Sequence, residues 1–259
     1  SIFLSHGEKT ERAVVMYHGY TNCPRQYEDL AQLFFERGYN VYVPRIPHHG
    51  LKNRVNPAVG RLTLAELLRV VDSSVDAAQG LGEQVTVLGL SMGGVMTAWA
   101  AQFRNDIDTA VILVPSFGWY YLPGVIKPML NLAYLVPDQL LWWHPRQRES
   151  RPIPYSMYHK FSSRGMGHTL MMSLAVLRAS RKTAPSARKL IVITTELDRA
   201  VDELNVLHLM ENWDRHGAVT KYYQFPAELG IEHDVIDPLQ QYQQTDSVYQ
   251  KIFEMIEHK

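Results

Sequence analysis

Gln84-Val85-Thr86-Val87-Leu88-Gly89-Leu90-Ser91-Met92-Gly93-Gly94 joins a strand signal to a helix signal with almost nothing between them. Gln84–Leu88 is a short run rich in β-branched residues, as expected of a strand buried on both faces, and Gly94–Phe103 reads as a helical stretch. The turn between them is Gly89-Leu90-Ser91-Met92-Gly93. A strand-to-helix turn this tight strains the central serine, and small neighbours give its hydroxyl room to project above the sheet edge. A lone G-x-S-x-G is a weak signal. Its position between strand and helix gives it weight, and the helix N-terminus that follows favours developing negative charge. Ser91 is therefore the candidate nucleophile.

Working outward, similar runs recur at Ala13–Tyr17, Asn40–Val43, Thr109–Val114, Lys189–Thr194 and Thr220–Phe225, alternating with helical patterns. This alternation predicts an α/β fold with a mostly parallel central sheet and helices on both faces. Tyr27, Leu30, Leu33 and Phe34 share one helical face before Gly38, which suits a left-handed helix end. Thr63 and Glu66 have capping-box spacing ahead of Leu67, Leu68, Val71 and Val75. Asp202 is expected to cap the helix carrying Val206, Leu209 and Trp213, and the last helix turns Val248, Ile252 and Ile256 inward.

The 259 residues are 46% hydrophobic and 20% charged, enough to bury a large core, so intrinsic disorder is excluded. Lys+Arg and Asp+Glu are 26 each, a formal net charge of +0, which argues against a nucleic-acid partner. The single Cys23 cannot form an internal disulfide, and no uninterrupted apolar stretch is long enough to span a bilayer. The chain starts at Ser1 without a basic-then-apolar leader; the expected location is the cytoplasm, with an excised signal left open.

The alternation stops between about 115 and 188. Trp119, Tyr120, Tyr121, Trp142 and Trp143 fall here among prolines, ending in a helical pattern around Thr169–Arg181. The stretch reads as a cap inserted into a core made of 1–114 and 189–259. Ser116 to Arg188 holds ten Lys/Arg against two acids, Asp138 and Glu149, a basic aromatic block on an otherwise acidic body.

A serine hydroxyl needs a base within hydrogen-bond reach and a carboxylate to orient that base. In the chain order of such turns the acid follows a later strand and the histidine comes last. His233, between the last strand and the last helix, is the candidate base. Asp198, in the loop after Lys189–Thr194, is the candidate acid, with Glu196 as the fallback. Oxyanion donors are expected from the Met92 amide and, across His18-Gly19-Tyr20-Thr21, from the Tyr20 amide. His18 is read as fixing that loop. His48-His49 is not read as a metal site, because adjacent histidines on an extended segment point to opposite sides.

Taken together, His18-Gly19-Tyr20-Thr21, Gly38-Tyr39-Asn40-Val41-Tyr42-Val43-Pro44, Gly89-Leu90-Ser91-Met92-Gly93-Gly94, Leu197-Asp198-Arg199 and His233 resemble the α/β-hydrolase superfamily. Within it the resemblance is to carboxylesterases and monoglyceride lipases of the serine-aminopeptidase-like group. It implies the α/β-hydrolase fold and a Ser91–His233–Asp198 triad acting through an acyl-enzyme, with no metal or organic cofactor. Two positions depart from the family's pattern. Pro47-His48-His49-Gly50 stands where Gly-His-Gly is usual, which would narrow the loop beside the pocket. Glu232 stands where a glycine usually precedes the histidine and sets a carboxylate beside the base.

The expected partner is a small-molecule ester. Trp119, Trp142 and Trp143 are candidates for the acyl-binding wall, which favours hydrophobic acyl or aromatic esters or monoacylglycerols. The basic aromatic cap also suggests weak peripheral contact with an anionic membrane. Two readings compete: a proline-iminopeptidase-like peptidase, for which the cap offers only Asp138 and Glu149 to hold a substrate amine, and a non-catalytic binding protein on the same fold. Epoxide hydrolase and dehalogenase chemistry needs a carboxylate where this chain has Ser91. Oligomeric state and acyl chain length are not written in the sequence.

Overall fold

Each of the β-branched runs becomes a strand in a computed structural model of the chain, which describes residues 1–118, 137–143, 156–240 and 244–257. The strands are β1 (Ile2–Leu4), β2 (Thr10–Tyr17), β3 (Tyr39–Val43), β4 (Gly82–Leu90), β5 (Thr109–Leu113), β8 (Lys189–Thr195) and β9 (Thr220–Phe225), with β6 (Leu140–Trp142) and β7 (Lys160–Ser162) in a separate ribbon. They form a seven-stranded sheet in the order β1-β3-β2-β4-β5-β8-β9, parallel except for β1. β1 was not anticipated. Three residues are too few for a periodicity signal, and its pairing of Ile2 with Val43 and Leu4 with Val41 is set by β3.

Strand side chains alternate between two cores. Val85 and Val87 of β4, Ala110 and Ile112 of β5, and Leu190 and Val192 of β8 face one side. Leu88, Val111, Ile191 and Ile193 face the other. Helices α2 (Leu64–Leu81), α3 (Met92–Phe103), α4 (Ser163–Ser180) and α5 (Glu203–Arg215) lie on the first side; α1 (Glu28–Glu36) and α6 (Thr245–Glu257) cover the second. Burial on both faces is why these strands read as continuous apolar runs. Each fully buried Val, Leu or Ile is worth about 1.5–3 kcal/mol.

Helix ends follow local chemistry, with one correction. Thr63 and Glu66 form a reciprocal capping box at the start of α2, and Gly38 takes φ +81 just after α1. Asp202 does occupy the N-cap of α5, but no side-chain capping bond forms there. Its carboxylate instead accepts from the Asn205 amide at 3.2 Å.

The expected cap also needs revision at its C-terminal end. β6 (Leu140–Trp142) and β7 (Lys160–Ser162) form a small antiparallel ribbon. α4 follows directly and buries Met172 and Val176 in the same core as Val87 and Ala110. Because β5 and β8 pair in parallel, α4 serves as their crossover helix. The weak amphipathy of a helix packed between two others hid that role in the sequence. Among the described residues, no helix is long and apolar enough to cross a membrane.

Candidate active site

Ser91 lies between the end of β4 and the start of α3, at φ 57 and ψ −113. A non-glycine residue held there costs about 1–3 kcal/mol and persists only if its surroundings over-determine it. They do: the Ser91 amide donates to the Leu113 carbonyl at 3.0 Å, and its carbonyl accepts from Val95 and Ser116 amides, each at 3.1 Å. The flanking glycines are sterically required. A Cβ on Gly93 would lie 1.8 Å from the Tyr17 carbonyl oxygen, and one on Gly89 would lie 2.1 Å from the Gly93 oxygen. Met92 opens α3, so its amide is among the first-turn donors that have no partner within the helix.

The loops after β8 and β9 bring the candidate acid and base together. Asp198 Oδ2 lies 2.7 Å from His233 Nδ1, while Asp198 Oδ1 accepts from Ala200 and Val201 amides at 2.7 and 3.2 Å. A carboxylate so held keeps the ring proton on Nδ1 and leaves Nε2 as the acceptor. Burial works against protonating His233, but the Asp198 charge and hydrogen bond, with help from Asp234, outweigh it and raise the imidazole above its usual 6.5. Glu232 is exposed and is not among the groups that shift His233, so the carboxylate expected to disturb the base is not the one that acts on it. Glu196 is turned elsewhere, accepting from the Ala227 amide at 2.9 Å.

After β2, the chain turns through His18-Gly19-Tyr20-Thr21. His18 Nε2 accepts from the Ile46 amide at 3.2 Å, so Nδ1 carries the proton and donates to the Gly19 carbonyl at 3.0 Å. The Asn22 amide donates to the same oxygen at 3.2 Å. Since the Gly19–Tyr20 peptide is planar, holding its carbonyl aims the Tyr20 N–H the opposite way. Burial, reinforced by His49, keeps His18 neutral by lowering its pKa well below 6.5. Its role is to fix the loop. Thr21, at φ 64, accepts a hydrogen bond on its hydroxyl oxygen from Trp143 Nε1–H at 2.9 Å.

Ser91 and His233 open into one cavity of about 190 Å³, together with Gly19, Tyr20, Asn22, Gln26, Ser116 and Asp234 on its polar side and Leu90, Trp143, Met157, Met166, Ala200 and Val201 on its apolar side. Trp143 is in this wall. Trp142 is not: its ring lies under the Lys160 ammonium at 4.4 Å and edge-on to His159, because neighbouring strand residues face opposite ways. Trp119 lies outside the described residues. Sequence reasoning missed Gln26, Met157, Met166 and Val201, none of which carries a motif.

The remaining expectations also resolve at the level of side chains. His48 adopts φ 67 rather than an extended conformation and faces Glu66 at 3.2 Å, so it does not narrow the cavity. His49 is buried, with Nδ1–H donating to the Pro47 carbonyl at 2.8 Å. Among the described residues, no group of three or more His, Cys, Asp or Glu is arranged to hold a metal ion. Asp138 receives the Ser162 and Ser163 hydroxyls and the Arg164 amide at the start of α4, so its carboxylate is engaged there and not at the cavity. Glu149 lies outside the described residues.

Comparison with known proteins agrees with this architecture. A thermostable monoacylglycerol lipase of Bacillus sp. (strain H-257) is 28% identical over 102 residues, 39% of this chain and 40% of that protein. Phospholipase YtpA of Bacillus subtilis (strain 168) is 30% identical over 101 residues, 39% of this chain and 38% of the relative. The matched stretch thus spans about two-fifths of each relative's length. The solved monoacylglycerol lipase of Paleococcus ferrophilus shares the fold with a TM-score of 0.72 at 18% identity, covering 100% of this chain and 99% of that one. The family model described as the alpha/beta hydrolase family matches residues 14–242, and by that match the chain belongs to the alpha/beta hydrolase family.

Proposed function

We propose that this chain is a serine hydrolase of carboxylic esters, with Ser91 as nucleophile, His233 as base and Asp198 as the group that orients it. The observation that carries the reading is the convergence of a strained serine and a carboxylate-held imidazole on one cavity. His233 Nε2 takes the Ser91 proton as Oγ attacks the ester carbonyl. The Tyr20 and Met92 amides stabilise the oxyanion, and the alcohol departs with the proton from His233. Water then repeats the sequence on the acyl-enzyme, releasing the acid and restoring Ser91.

The apolar wall of Trp143, Met157, Met166 and Val201 suits a hydrophobic acyl group, and the lipase names of the relatives support esters or monoacylglycerols as substrates. Trp143, Met157 and Met166 come from the stretch between β5 and β8, and Val201 from the loop after β8. A fluorophosphonate probe is expected to label the wild type and not Ser91→Ala. Ser91→Ala and His233→Ala are each expected to lower kcat about 10³–10⁶-fold on p-nitrophenyl esters while leaving the fold intact. Near-wild-type turnover in either variant overturns the assignment. Faster cleavage of aminoacyl arylamides than of any ester in a chain-length series would favour the peptidase reading instead.

A further inference from the structure

Gln26 is 2% exposed and lies in the short 3-10 turn Pro24–Tyr27 that precedes α1. Its side-chain amide makes two bonds to parts of the site that are remote in sequence. Oε1 accepts from the Gly19 amide at 2.9 Å, and Nε2 donates to Asp234 Oδ1 at 2.7 Å. The orientation of the amide is fixed by chemistry: a backbone N–H needs an acceptor, and a carboxylate needs a donor. Asp234 is held from its other side by Gln240 Nε2 at 2.5 Å. It is the residue after His233, just as Gly19 is the residue before Tyr20. One glutamine therefore spans the donor loop and the base loop.

We propose that Gln26 is a positioning residue of the reaction, tying the loop that carries the Tyr20 oxyanion amide to the loop that carries His233, so that donor and base keep one spacing. The inference rests on the ester-hydrolase reading above. Neither loop belongs to a strand or helix; the donor loop is held to Ile46 and Trp143 and the base loop to Asp198 and Gln240, and Gln26 bonds to both. A displacement of about 1 Å at such a site costs about 10²-fold in rate. A merely structural Gln26 would affect stability and leave turnover per folded molecule unchanged.

The test is steady-state hydrolysis of p-nitrophenyl butyrate, with thermal melting, on the wild type, Gln26→Glu, Gln26→Leu and the double variant Gln26→Glu/Asp234→Asn. Gln26→Glu keeps an acceptor for the Gly19 amide but sets a carboxylate against Asp234. It is expected to lower kcat about 10²-fold with KM within about threefold. Gln26→Leu removes both bonds and is expected to lose activity similarly, with a lower melting temperature. The double variant exchanges donor and acceptor, and kcat is expected to return to within about fivefold of wild type, since a restored pair couples non-additively. Wild-type kcat in folded Gln26→Glu, or a double variant no better than Gln26→Glu, overturns the role of Gln26 while leaving the ester-hydrolase reading in place. A wild type that hydrolyses no ester and takes no fluorophosphonate overturns both.

Discussion

Ser91 is held where its backbone is strained, and that strain has a measurable signature. Ser91→Ala keeps the strained φ of 57, whereas Ser91→Gly relieves it. Strain of about 1–3 kcal/mol, less the roughly 0.5–1 kcal/mol that glycine loses through extra unfolded freedom, leaves a net of about 1 kcal/mol. Ser91→Gly is thus expected to be about 1 kcal/mol more stable than Ser91→Ala in denaturant unfolding; a Ser91→Gly variant less stable than Ser91→Ala by the full glycine cost of about 0.5–1 kcal/mol would show that the turn stores no strain. A second residue-level consequence concerns His233, which must be neutral to take a proton. Its pKa is raised above 6.5, so the acid limb of kcat/KM should be centred above 6.5. The same shift contributes stability in full below the unfolded value near 6.5, lost as pH rises through the folded value. Asp198→Asn removes the main raising cause. It should move the limb to lower pH and reduce kcat about 10⁴-fold, as read from the pH–rate profile.

At the scale of elements, the start of α2 concentrates several interactions on Glu66. Burial would raise its carboxyl, but the Thr63 hydroxyl and amide, with His48, outweigh that and hold it below its usual 4.5. Thr63→Ala is expected to cost about 1 kcal/mol at pH 7, from the lost cap. Because the folded pKa is depressed, Glu66's contribution is present above about 4.5 and lost as pH falls through the folded value. The cost of Thr63→Ala should therefore shrink in acid. A penalty unchanged between pH 7 and pH 3 would show that the carboxylate takes no part in the cap. The β9 and β8 ends matter differently, since their loops carry His233 and Asp198, and β8–β9 pairing from Leu190↔Thr220 to Thr195↔Phe225 sets where the two loops emerge.

Across the whole molecule, the sheet is sealed on both faces, and the candidate site residues lie in the loops at the carboxyl ends of β2, β4, β8 and the edge strand β9, where parallel topology leaves a crevice. Ile112 of β5 is fully buried between β4 and β8. Ile112→Ala is expected to cost about 2–5 kcal/mol through lost burial and a residual cavity. At roughly 2–4 °C per kcal/mol for a chain of this size, that is a fall in Tm of about 4–20 °C by calorimetry. A fall under about 2 °C would mean that the sheet collapses around the deleted atoms.

The strand runs, the Ser91 turn and the α2 cap were legible from the sequence because each is dictated locally: apolar periodicity, glycines beside a crowded residue, and a hydroxyl three residues from a carboxylate. Asp198 and His233 could be proposed from chain order, yet their contact at 2.7 Å, with Asp198 rather than Glu196 at the ring, depends on how two loops leave adjacent strands. The bond from Gln26 to Asp234, 208 residues away, the separation of Trp143 from Trp142, and the use of α4 as a crossover were decided by tertiary packing alone. Hydrogen bonds and cavity walls join residues by proximity, and proximity between distant segments exists only once the buried sheet has set their positions.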